Sequence, residues 1–253
     1  GSRLVGSEMC IRDRDSMNSN QKKLKVLRKQ LSSHWANMGR DNIDEWVKLH
    51  ADLQSHIDDQ PSGKSIHHPL LVAFPFHDHW FSIREYNLRY EIKKLQKEEA
   101  VRTKDIREYI FLHERPYRVH ALLDAYLHWW NPEEPDWWKT VANVWIDSEN
   151  IFQNISYWKS ILTEQFSCPH LMMDEKDKKI FNELPAWINI YRGGYDDKGF
   201  SWTLDKEKAE WFSNRFKFLH PEMKVFEKRI SKLDALAYLR GRDEAEIIYI
   251  PEE

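Results

Sequence analysis

Ile188-Asn189-Ile190-Tyr191-Arg192-Gly193-Gly194 is the stretch at which the grammar of the chain changes. Ile188 and Ile190 alternate with Asn189 and Tyr191, a period of two that predicts a strand with one buried face, closed by Arg192-Gly193-Gly194. Before it, beyond Pro185 and the charged run Lys176-Asp177-Lys178-Lys179, apolar residues recur at helical spacing. The chain therefore reads as helices first and a sheet afterwards.

Downstream, Phe200 to Thr203 predicts a second strand. Asp205 caps a helix whose inner face holds Ala209, Phe212 and Phe216, and strands follow near 225–230, 236–239 and 246–250. Tyr195-Asp196-Asp197-Lys198 reads as a tight turn between the first two strands.

Upstream, Leu24, Leu27 and Leu31 make the apolar face of a basic helix from about Asn20 to Leu31. Its lysines and Arg28 read as a solvated face or as a contact for nucleic acid or a partner. A second helix is expected from Asp41 or Asn42, carrying Ile43, Trp46, Val47, Leu53 and Ile57, with Pro61-Ser62-Gly63 as the turn that ends it. His67-His68 and His77-Asp78-His79 suggest a metal, yet no partnering Cys/His pair sits at zinc spacing, so packed or capping histidines are expected and no metal site is assigned. Leu88, Ile92 and Leu95 form one further stripe, and Val119, Leu122, Leu123, Tyr126, Leu127 and Trp130 form another after Pro116. A loop is expected over 131–136, followed by Trp137, Trp138, Val141 and Trp145, then Ile151, Ile155, Trp158 and Leu162. The 12 tryptophans read first as aromatic packing, with a ligand-stacking surface as the alternative. Asp147-Ser148-Glu149-Asn150 breaks this aromatic region, as a helix start or as a wall of a binding site.

A chain of 253 residues, 41% hydrophobic, can bury a core as one domain or two small ones. The net charge of −3 gives no global pull toward nucleic acid or anionic lipid. Two cysteines, Cys10 and Cys168, cannot make a disulfide framework, and no run of about eighteen apolar residues exists to span a bilayer. A cytoplasmic protein without membrane contact is expected. Residues 1–16 show no apolar period and are read as a non-native leader, with Met17 the expected natural start. The expected fold class is α+β: a helical accessory region over 17–110, then a domain over 111–253 whose motif-bearing sheet occupies 187–253.

Arg192 closing the first strand, Ser201-Trp202-Thr203 on the second and Glu244-Ala245-Glu246 opening the last resemble, in that order, the Arg-Ser-Glu class of mono-ADP-ribosyltransferases. The resemblance covers roughly residues 187–253, about a quarter of the chain. It implies a compact split β-sandwich and NAD as substrate. In such enzymes the glycosidic bond to nicotinamide breaks through an oxocarbenium-like state, which a carboxylate stabilises. The resemblance gives that catalytic role to Glu246, with Ser201 orienting it and Glu244, placed two residues earlier on the same strand face, handling the acceptor. It makes Arg192 the pyrophosphate fork, Gly193 the point of close backbone approach to the nicotinamide carboxamide, and Thr203 a support on the Ser201 strand. One departure is Trp202, a bulky residue at the middle of the family's Ser-Thr-Ser, which either reshapes the pocket or stacks on the ligand.

The resemblance implies transfer of ADP-ribose to a protein arginine, favoured by glutamate at position 244. The alternative is a toxin that modifies a nucleobase of RNA or DNA, of phage-defence or toxin–antitoxin type with an antitoxin protein as partner. A second alternative is an inactive NAD-binding or interaction module.

Overall fold

A computed structural model describes residues 18–38, 47–129, 135–148, 151–163, 167–215 and 217–252. Residues 1–16, read from the sequence as a leader, and Met17 lie outside the described residues, as do Ile43, Trp46, Trp130, Glu149, Asn150 and Phe216. The fold is mixed α/β with two antiparallel sheets, and it divides into two compact units between Glu114 and Arg115.

In the first unit, helix α1 (Ser19–Ala36) opens with a capping box in which Asn18 and Gln21 satisfy each other's backbone N–H. α2 is a single turn, Ala51–Gln54. Strands β1 (Ile57–Gln60), β2 (Gly63–His68) and β3 (Leu71–Ala73) then form an antiparallel meander in the order β1-β2-β3. This corrects two expectations. Between Val47 and Ile57 only α2 is helical, and Ile57 opens a strand, so the accessory region carries a sheet as well as helices. The Pro61-Ser62-Gly63 turn exists, but it joins β1 to β2, with Gly63 at φ 118°, a value open to glycine.

Helix α3 (Trp80–Thr103) is apolar on two sides. Ile83, Tyr86 and Tyr90 pack with Leu53, Ile66, Leu70 and Leu71 of the meander side. Ile92 and Leu95, roughly half a turn round, pack with Leu24, Leu27 and Leu31 of α1. The histidines here have structural contacts: His79 caps α3 through Phe81 N–H, and His68 accepts from Leu70 N–H while packing edge-on to Tyr90. Burial lowers the His68 pKa to about 4, so it packs as a neutral ring. Helix α4 (Ile106–Leu112), capped by Asp105, completes the unit.

The second unit begins with a 3-10 turn at Arg115–Tyr117 and continues through α5 (Arg118–Trp129), α6 (Pro135–Asp147), α7 (Ile155–Thr163) and α8 (Glu175–Glu183). Pro135 and Asp136, expected in a loop, instead open α6, where a proline's missing N–H costs nothing. Trp137, Trp138, Trp145 and Trp158 are all fully buried, so aromatic packing builds this layer. Leu127 departs from the expected stripe and is exposed. Strands β4 (Trp187–Gly194) and β5 (Ser201–Thr203), helix α9 (Lys206–Arg215), and strands β6 (Lys224–Ser231), β7 (Ala237–Leu239) and β8 (Glu246–Ile248) follow. The five strands form one antiparallel sheet in the order β6-β4-β5-β8-β7. That order places Tyr191 of β4, Thr203 of β5 and Glu246 of β8 in one row across the sheet, with Ser201 beside Ile248 at the other end of β5.

Candidate active site

β5 and β8 pair with Thr203 opposite Glu246 and Ser201 opposite Ile248, so Ser201, Thr203 and Glu246 share one face of the sheet. Ser201 Oγ donates to Glu246 Oε1 across the strands. Trp145 Nε1 of α6 donates to the same oxygen at 2.9 Å. Glu246 is only 2% exposed, and no described residue donates to its Oε2. Burial raises the Glu246 pKa, the Ser201 and Trp145 hydrogen bonds oppose the rise, Glu244 adds to it and Arg242 opposes it. One carboxylate oxygen is thus held by two donors, and the other by none among the described residues.

Arg192 lies within β4, opposite Phe226 of β6, and its side chain reaches toward the loop that follows the strand. Its Nη1 donates to Ser201 O at 2.8 Å and its Nε to Asp196 O at 3.3 Å. Nη2 meets no acceptor among the described residues. Burial lowers the Arg192 pKa, while the charges of Asp196 and Glu246 raise it, and a guanidinium in that balance stays a cation. Gly199 explains how the guanidinium fits, because a Cβ there would lie 2.2 Å from Arg192 Cζ. The loop backbone lies against the fork, a contact that only glycine permits.

Three site residues stand elsewhere than the sequence placed them. Gly193 faces α9: a Cβ would lie 2.1 Å from Ala209 O and 2.6 Å from Ser213 N, so its bareness serves helix-on-strand packing. Trp202 alternates away from Ser201 onto the opposite face, where it is 2% exposed, donates to Gly199 O and lies under Lys228 Nζ. It belongs to the core on the far side from Glu246. Glu244 is not on the strand. β8 starts at Glu246, and Glu244 follows a 3-10 turn at Gly241–Asp243, separated from β8 by Ala245 at φ 44°.

The loop carrying Glu244 is fastened at several points. Arg240 bonds Asp177 and Asp174, the capping-box pair of α8. Gly241 lies against Ile146, where a Cβ would be 2.7 Å from Ile146 Cγ1. Thr203 Oγ1 donates to Glu244 O at 2.6 Å and accepts from Asp205 N–H, which ties this loop to the start of α9. Between these fixings, Arg242 and Asp243 take left-handed backbone at φ 60° and 55°, unusual for residues other than glycine. Glu244 Oε2 holds Arg242 Nη2 at 3.3 Å.

Trp145, Gly199 and Arg242 are the site residues that the sequence did not flag. Asp147, from the segment considered as a wall, pairs with Arg115 and Arg118 instead of reaching Glu246, while Trp145 two positions earlier does reach it. Among the described residues no cluster of three potential metal ligands forms, and no helix is long and apolar enough to cross a membrane. Comparison of the chain with protein-family models, curated proteins and solved structures finds no match.

Proposed function

We propose that this chain is an NAD-dependent mono-ADP-ribosyltransferase that modifies a guanidinium, as on a protein arginine, and that its five-stranded sheet is the motif-bearing sheet of that family's split sandwich. The observation that carries the reading is the buried Glu246 carboxyl, held through Oε1 by Ser201 and Trp145 with Oε2 left without a donor. In this reading Oε2 accepts a hydroxyl of the nicotinamide ribose, and the carboxylate charge faces C1′ as nicotinamide departs. The unused N–H groups of Arg192 take the pyrophosphate, and the hydrogen bonds from Arg192 to Asp196 and Ser201 fix the direction of the fork. Glu244 already holds a guanidinium, that of Arg242, which favours a guanidinium acceptor.

A second reading, transfer to a nucleobase, is favoured by α1. Lys22, Lys23, Lys25, Arg28 and Lys29 are exposed, form no ion pair with a described residue, and share a helix that contains no Asp or Glu. Such a face suits a phosphate backbone. The experiment is to supply labelled NAD with agmatine, as a small guanidine, or with single-stranded RNA or DNA, and to measure nicotinamide release and label transfer. Label on agmatine supports the first reading and label on the oligonucleotide supports the second. No nicotinamide release with any acceptor rejects both.

A further inference from the structure

The turn that precedes β8 places one of the chain's own arginines where an acceptor would sit. Arg242 Nη2 lies 3.3 Å from Glu244 Oε2, and Glu244 is nearly enclosed, with 14% of its side chain exposed against 41% for Arg242. The pair is therefore a carboxylate set in the wall with a guanidinium entering from solvent. Arg242 also lies near enough to Glu246 for its charge to favour the ionised carboxyl. The backbone that presents it is held at φ 60°, with Asp243 at 55° and Ala245 at 44°, while Arg240, Gly241 and the Glu244 carbonyl are each fastened to other elements. A conformation so unfavourable for side-chain-bearing residues persists only when its surroundings impose it, and here it keeps the Arg242 guanidinium on Glu244.

Resting on the transferase reading, we infer that Arg242 occupies the acceptor position of the Glu244–Glu246 site and is itself an ADP-ribosylation site of this chain. The step balances without another reactant. The C1′–N bond of NAD breaks and nicotinamide leaves as a neutral base with the bonding pair. Glu244 takes a proton from an Arg242 nitrogen, whose lone pair forms the new bond to C1′. The product guanidinium keeps its charge and one proton is released to solvent. Arg242 reaches Glu244 from the solvent side, so an outside guanidinium competes for the same seat, and a modified Arg242 blocks it.

The test uses the full chain with labelled NAD and no added acceptor, following nicotinamide release and mapping label by peptide mass spectrometry. The expected result is label on the peptide containing Arg242, lowered at least roughly tenfold in Arg242→Lys, because an ammonium point charge does not reproduce the guanidinium fork. Competition by agmatine should lower label on Arg242 in the wild type. Nicotinamide release without label at Arg242 overturns this inference and leaves the transferase reading standing. Absence of nicotinamide release, with agmatine present or not, overturns the transferase reading and this inference with it.

Discussion

Ser201 and Glu246, 45 positions apart, are joined by one hydrogen bond between neighbouring antiparallel strands, and Trp145 completes it from a helix 101 positions before Glu246. The strands fix the heights of the two side chains, while the indole N–H fixes which carboxylate oxygen is held. Burial then makes this carboxyl costly to ionise.

Glu246→Gln should lower nicotinamide release at least roughly hundredfold, the scale of one electrostatic stabiliser. It should also change stability with a definite sign. The folded-state pKa of Glu246 is raised above 4.5, so the native chain binds the proton more tightly than the unfolded one, and wild-type stability falls as pH climbs from 4.5 through the folded pKa. The amide carries no such penalty. Urea unfolding at acidic and neutral pH should show Glu246→Gln gaining on wild type as pH rises, and a gap independent of pH would contradict this.

Trp145→Phe keeps a ring in the fully buried slot against Trp158 and removes only the N–H. With one donor fewer on its ionised form, Glu246 should titrate still higher, and the acidic limb of the pH profile of nicotinamide release should move to higher pH. A loss of about 1.5–3 kcal/mol in holding the ionised carboxylate corresponds to a charge-assisted hydrogen bond. An unchanged pH profile would make Trp145 packing alone.

Arg192→Lys retains a charge but loses the planar fork and its bonds to Asp196 O and Ser201 O. NAD affinity measured by calorimetry should fall tenfold or more, about 1.4 kcal/mol at least. Equal affinity in the two proteins would restrict Arg192 to holding the loop.

Gly199→Ala places a methyl 2.2 Å from Arg192 Cζ, so the loop or the guanidinium must move. The expected cost is about 1–3 kcal/mol of stability, with NAD affinity lowered as in Arg192→Lys. Wild-type thermal stability in this variant would mean the loop yields freely and does not set the fork.

On the proposed reading, in which Glu244 holds the acceptor guanidinium as it holds that of Arg242, Glu244→Gln should lower transfer to agmatine much more than it lowers slow hydrolysis of NAD. Equal loss of both activities would place Glu244 in the NAD site itself.

The sequence by itself determined the elements whose signals are local. The alternation of Ile188 and Ile190 marked β4, Asp205 marked the start of α9, and the order of Arg192, Ser201 and Glu246 put all three on or beside strands of one sheet. It did not mark β1, whose four residues are all exposed and so show no alternation, and of the two-faced α3 it marked only the stripe of Leu88, Ile92 and Leu95, not the opposite side formed by Ile83, Tyr86 and Tyr90. Tertiary structure alone decided the surroundings of Glu246. Strand pairing joined Ser201 to it, and a helix from far upstream brought Trp145. The pleat turned Trp202 away, and the left-handed backbone at Ala245 lifted Glu244 off the strand. Each of these depends on contacts between residues distant in the chain or on a backbone angle imposed by such contacts, neither of which is written in residue type and spacing.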